Sequence, residues 1–172
     1  KSEVVDAVAR TTNWTLYLYI TNPQTKELIK LRRKIEILNM KHRVFFKEPV
    51  SFDESVKVLS IYELGIIPHN NIDHVRYTLP NKLYDYIMAG ILVAVKAVPI
   101  LESFVSKYQI GFSYKSSREL EEKLIDLDET GTPKRGSEIK LCWEDMAEVE
   151  LLNALDVSNF DNLENGKSQD YL

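Results

Sequence analysis

The chain has 172 residues, 44% of them hydrophobic, which suits one domain with a real buried core. A formal net charge of −4 gives no electrostatic case for nucleic acid. One cysteine, Cys142, excludes an internal disulfide and fits a reducing compartment, and no apolar run approaches the ~20 residues of a membrane-spanning helix.

In chain order the pattern alternates helix and strand. Val4, Val5, Val8 and Ala9 form an apolar stripe at helical spacing. Residues 14–20, rich in aromatics and Leu, read as a strand. Residues 24–39 read as a helix with Leu28, Leu31, Ile35 and Leu38 on one face. Its Lys30-Leu-Arg32-Arg33-Lys34 run is expected to be a solvated helix face. A docking patch for anionic lipid or a partner is the second reading, and Lys41-His-Arg43 is a smaller basic cluster. A short strand is expected at 43–46. Ser51-Phe-Asp-Glu54 matches a capping box that opens a helix to about Ser60. Then come a strand at 64–67, a polar loop at 68–78, a helix at 80–89 and a strand at 91–95. Pro99 opens another helix carrying Leu101, Phe104 and Val105, and 110–114 is a strand. Ser116-Ser-Arg-Glu119 is a second capping box, leading a helix to about Asp126. A Gly- and Pro-containing loop at 128–138 precedes a last helix, Trp143 to Leu155, which is expected to be structural. The domain is expected to span 1–157, and the polar tail 158–172 to fray.

Strands separated by helices imply a Rossmann-like α/β sandwich, a parallel sheet with helices on both faces. Such a unit opens on a strand before its first helix. The expectation is therefore that a first strand lies upstream of Lys1 and that the chain is a fragment. No signal peptide is legible, which fits a cytoplasmic protein, with peripheral contact at the inner membrane face as an added expectation.

The chemical signals sit around the segment from Leu64 to Val95. Pro80 suits a first helical turn, where its missing N–H costs nothing, and Gly90 suits the left-handed residue past the helix end. The helix N-terminus then faces the sheet end where open α/β folds bind ligands. Its free N–H groups and dipole suit a phosphate or diphosphate. None of the six glycines builds G-x-G-x-x-G or a P-loop. No Asp ends the middle strand, so a receiver domain is excluded. His69, Asp73 and His74 match no zinc spacing, and no metal is expected. His69, directly after its strand, either touches a ligand at the sheet edge or is a loop histidine without a role. Lys82 and Asp85 share one helix face: they either hold a diphosphate and a ribose or form a surface ion pair worth at most ~0.5 kcal/mol. Spacing alone leans to the ion pair.

The run Leu79-Pro-Asn-Lys-Leu-Tyr-Asp-Tyr-Ile-Met-Ala-Gly90, followed by Leu92-Val-Ala-Val95, resembles the donor-binding segment of GT-B glycosyltransferases, particularly the family 4-like group. The strands at 14–20, 43–46, 64–68 and 110–114 and the Cys142-Trp143-Glu144 start of the last helix are similar too. The resemblance thus covers about residues 2–156 in order. It implies one half of a GT-B fold, binding a nucleotide-diphosphate sugar for transfer to a saccharide or lipid-linked acceptor. It also implies polysaccharide or glycoconjugate biosynthesis, an N-terminal acceptor domain outside this chain, and no cofactor or metal. The implied donor-binding residues are His69, Tyr77, Thr78, Pro80, Asn81, Lys82 and Asp85; no catalytic residue is assigned. The family's two glutamates, separated by seven residues, fall at Tyr77 and Asp85, and its diphosphate-binding Arg and Lys beside the first strand cannot be placed on this sequence. The alternatives are a sugar-nucleotide epimerase of the same fold and a non-catalytic binding or scaffolding module.

Overall fold

The computed structural model describes residues 1–69 and 79–131. The chain divides into two compact units, Lys1–Ser137 and Glu138–Leu172, and every described residue belongs to the first. The helix expected at 143–155 and the tail lie outside the described residues. The elements run α1 (Ser2–Arg10), β1 (Leu16–Tyr19), α2 (Lys26–Ile37), β2 (Val44–Lys47), α3 (Phe52–Leu59), β3 (Leu64–Ile67), α4 (Asn81–Met88), β4 (Leu92–Lys96), α5 (Pro99–Lys107), β5 (Gly111–Tyr114) and α6 (Ser117–Thr130).

Every strand pair is parallel, because each strand is followed by a helix that carries the chain back. β1 pairs β2 with Leu16 opposite Val44. β3 pairs β4 with Leu64 opposite Leu92, and β4 pairs β5 with Val93 opposite Gly111. Leu92, Val93, Ala94 and Val95 are all buried, as a strand covered on both faces requires. On one face Ala94 and Tyr114 join a core with Val4, Val5 and Val8 of α1, Leu28, Leu31 and Ile35 of α2, and Leu120 and Leu124 of α6. On the other, α4 packs on β3 and β4, and α5 packs on β4 and β5. Leu83, fully buried, anchors α4, a burial worth about 1.5–3 kcal/mol. The fold is therefore Rossmann-like α/β.

The sheet is not continuous. β1 and β2 form one sheet and β3, β4 and β5 another, and among the described residues no backbone hydrogen bond joins β1 to β3.

Local departures from the sequence reading have local causes. Pro80 is the N-cap of α4, with φ −72 and ψ 143, rather than its first helical residue. Gly90 does take the left-handed conformation, φ 69. Its N–H reaches Ile87 O at 3.0 Å and the N–H of Ile91 reaches Tyr86 O at 3.2 Å, which closes the helix. Ser51 caps α3 without the reciprocal box: its hydroxyl donates to Glu54 Oε2 at 2.9 Å instead of accepting from the backbone. Ser116 does accept from Glu119 N–H at 3.2 Å. α6 continues to Thr130, past the expected end, because Glu129 and Thr130 extend a run without a breaker before Gly131. Leu38 is the C-cap of α2 and 38% exposed, so the buried stripe stops at Ile35.

The basic clusters are largely structural. Lys34 pairs with Asp6 and donates to Ser2 Oγ at 2.7 Å, and the Arg32 guanidinium lies 4.1 Å from the Phe46 ring centroid. Arg43 donates to Val8 O at 3.0 Å, Thr11 O at 2.7 Å and Trp14 O at 2.7 Å. It thus ties the end of α1 to the start of β1 and is not a surface charge available for docking.

Candidate anion site

The carboxyl ends of the strands carry the site. β3 delivers Pro68 and His69 to this edge, and α4 begins beside it with Pro80, Asn81 and Lys82. A cavity of about 780 Å³ opens here, lined at this end by Lys1, Pro68, Lys82 and Tyr86.

Three basic side chains converge. His69 is half-buried, and its Nδ1 is buried with no hydrogen-bond partner among the described residues. Burial, together with the positive charges of Lys82 and Lys1, holds its pKa below the ordinary histidine value. Lys82 stands exposed at the rim. Loss of water around it and the charge of Lys1 nonetheless lower its pKa, against a smaller opposing pull from Asp85. Asp85, one turn on, has its pKa raised by burial and lowered in part by Lys82. Lys82 and Asp85 form no salt bridge, so the surface ion pair that spacing favoured is not made.

α4 differs from its neighbours in charge. The first turns of α1, α2, α3, α5 and α6 each contain an acid: Glu3, Glu27, Asp53 with Glu54, Glu102 and Glu119. The first turn of α4 contains none, and no side chain caps it. It carries Lys82 instead, a cation placed against the positive end of the helix dipole. That arrangement costs roughly 0.3–1 kcal/mol unless an anion intervenes.

Gly65 sets how closely α4 approaches β3. A Cβ built there would lie 2.4 Å from the Tyr86 ring. Tyr86 is largely buried, and its hydroxyl pKa is pushed up to about 12 by desolvation and then by Asp85. Sequence reasoning passed over both residues. The available signal was a glycine inside an apolar strand, which marks close approach of a neighbour. It also missed Lys1, which reaches the site only through the tertiary placement of α1.

Of the sequence-derived candidates, the fold brings His69, Pro80, Asn81, Lys82 and Asp85 to one edge of the sheet. Tyr77 and Thr78 lie outside the described residues, as do Asp73 and His74. Among the described residues no group of three or more His, Cys, Asp or Glu side chains is placed to hold a metal ion, and no helix is long and apolar enough to cross a membrane.

No protein-family profile and no curated protein matches this sequence. Among solved structures it is similar to Anabaena Alr3699/HepE, crystallised in complex with UDP, with a TM-score of 0.56 and 17% sequence identity. The match covers 77% of this chain and 36% of that one, so the chain spans little more than a third of that protein's length. At this identity the likeness bears on the fold, and it agrees with the Rossmann-like architecture described above.

Proposed function

We propose that this domain binds the donor of a GT-B glycosyltransferase similar to the family 4-like group. The observation that carries the reading is the acid-free, uncapped first turn of α4 with Lys82 in it, facing His69 and Lys1 across the edge of the sheet. Five other helices neutralise their own N-termini. This one presents N–H groups and cations together, the combination that suits a diphosphate.

In the reaction the nucleoside diphosphate is the leaving group. The N–H groups of Asn81 and Lys82, the Lys82 ammonium and protonated His69 stabilise the charge that develops on it, which is where such donors lower a barrier. Asp85, one turn along the same face, accepts from the ribose hydroxyls. Residues Tyr77 and Thr78 complete the donor contacts. The sugar passes to a saccharide or lipid-linked acceptor held by an N-terminal acceptor domain. No metal or organic cofactor enters, because the helix N-terminus and the cations carry the phosphate charge. The HepE structure was solved with UDP, so UDP is the first nucleotide to try.

Calorimetric titration with UDP and uridine tests the reading. UDP should bind more tightly, and Lys82→Ala should lower UDP affinity by about ten- to a hundredfold, the loss of one charge-assisted hydrogen bond, while leaving uridine unaffected. Equal affinity for the two ligands would refute it. A second reading, a binding module without catalysis, is favoured by Tyr77 standing where the family carries its first glutamate. Donor turnover by the domain joined to an acceptor half separates the two.

A further inference from the structure

The layer of helices formed by α2, α1 and α6 is charged in opposite senses at its two sides. α1 packs against both of the others. α2 carries five bases and two acids, and α6 carries six acids and two bases. The outward charges share one spacing. Leu28, Leu31 and Ile35 turn inward from α2, so Lys26, Lys30 and Arg33, at i, i+4 and i+7, lie on its opposite side, and all three are exposed. Leu120 and Leu124 turn inward from α6, so Glu122, Asp126 and Glu129, again at i, i+4 and i+7, lie on its opposite side, and all three are exposed. Each stripe holds an apolar side chain at i+3: Ile29 is 59% exposed and Ile125 is 40% exposed. Ile37, 77% exposed, extends the α2 stripe by one turn. Most of these charges are not neutralised within the chain. Among the described residues Lys26, Lys30, Arg33, Asp126 and Glu129 form no salt bridge, and Glu122 meets only the exposed Arg118 of its own helix, at 3.3 Å. The middle of the layer differs, because on α1 Asp6 pairs with Lys34 and Arg10 pairs with Glu121. The layer therefore presents a cationic stripe, a charge-compensated centre and an anionic stripe of matching length.

We propose that a second copy of this chain docks on this layer, forming a two-fold dimer. A two-fold axis along α1 sets α2 of one protomer over α6 of its partner and, by symmetry, α6 over α2. Both contacts are then complementary in charge. Setting like helices together would instead oppose cation to cation and acid to acid. Within each contact Ile29 of one protomer meets Ile125 of the other, which removes exposed apolar surface from water on both sides. Exposed ion pairs direct orientation more than they add affinity, so the association is weak, reversible and sensitive to salt. This inference stands independently of the nucleotide reading.

Sedimentation velocity of the 172-residue chain at rising concentration tests it. A monomer–dimer equilibrium is expected at concentrations on the order of 100 μM in about 50 mM salt, weakened at least about tenfold in about 500 mM salt. Two charge-reversed chains follow, one with Lys26→Glu, Lys30→Glu and Arg33→Glu, the other with Glu122→Lys, Asp126→Lys and Glu129→Lys. Each alone should remain monomeric, and an equal mixture of the two should form the dimer again. The neutral triple variant Lys26→Gln, Lys30→Gln, Arg33→Gln, with the melting temperature of the parent, should weaken the dimer at least about tenfold and so separates lost docking from lost folding. A parent chain that stays monomeric to about 1 mM at low salt would overturn the proposal, as would self-association that none of these variants diminishes. Growth beyond a dimer would overturn the two-fold arrangement. A monomer that instead pellets with vesicles of phosphatidylserine and phosphatidylcholine would assign the α2 stripe to a lipid surface and likewise overturn it.

Discussion

Gly65→Ala tests the coupling between β3 and the anion site. A methyl group at this position meets the Tyr86 ring at 2.4 Å, against its Cγ and Cδ2 carbons. These atoms lie close to the helix backbone, so a rotamer change does not clear them and α4 must move. Two effects compete. The backbone of Gly65 is one that alanine adopts, so a restricted unfolded chain favours the variant by about 0.4–1 kcal/mol. Overpacking costs about 1–3 kcal/mol. The clash should win, lowering the melting temperature by roughly 2–8 °C for a chain of this size. Because Lys82 and Asp85 ride on the same helix, UDP affinity should fall as well. The double variant Gly65→Ala, Tyr86→Ala removes the ring that the methyl meets. It should therefore be more stable than the sum of the two single losses predicts, by about 1–2 kcal/mol. A Gly65→Ala chain that melts at or above the parent would refute the close-approach argument.

Three further outcomes are expected. Arg43→Met keeps the aliphatic stem but removes the donors to Val8, Thr11 and Trp14; it should cost about 3 kcal/mol in denaturant titration, and no loss would show that those carbonyls find water instead. Asp85→Asn should leave the melting temperature unchanged or raised, since burial disfavours the carboxylate, yet weaken UDP binding; a stability loss with normal binding would make Asp85 structural. UDP binding should take up protons. The folded pKa values of His69 and Lys82 are both lowered, and an adjacent diphosphate raises them again, so affinity strengthens as pH falls through the ordinary histidine range near ~6.5 and weakens at alkaline pH as Lys82 loses its proton. Calorimetry in buffers of differing ionisation enthalpy measures the uptake, and proton release would contradict the assignment.

Much of the architecture was legible because its signals are local. Gly90 marks the end of α4, the unbroken Leu92–Val95 run marks a strand buried on both faces, and alternating elements imply parallel pairing. The element order raised the expectation of a first strand ahead of Lys1, but that β1 and β3 would stand unpaired was not legible, because no local pattern in residues 14–20 or 64–67 tells a paired edge from an open one. The role of Arg43 was hidden for a similar reason: its partners lie 29 to 35 residues away, and a basic residue near two others reads as surface charge. In the site, Lys82 and Asp85 were visible as helix neighbours. Their failure to pair, and the approach of His69 and Lys1, depend on how α1 and β3 meet α4, which spacing does not encode.

The proposed function turns on a diphosphate seated at the N-terminus of α4. The most direct measurement follows the backbone amides of Asn81, Lys82 and Leu83 by two-dimensional NMR during titration with UDP and, separately, with uridine. Saturable shifts of the Asn81 and Lys82 amides are expected with UDP, absent with uridine and diminished about tenfold in apparent affinity by Lys82→Ala. UDP-induced shifts confined to other parts of the chain, or identical responses to UDP and uridine at these amides, would contradict it.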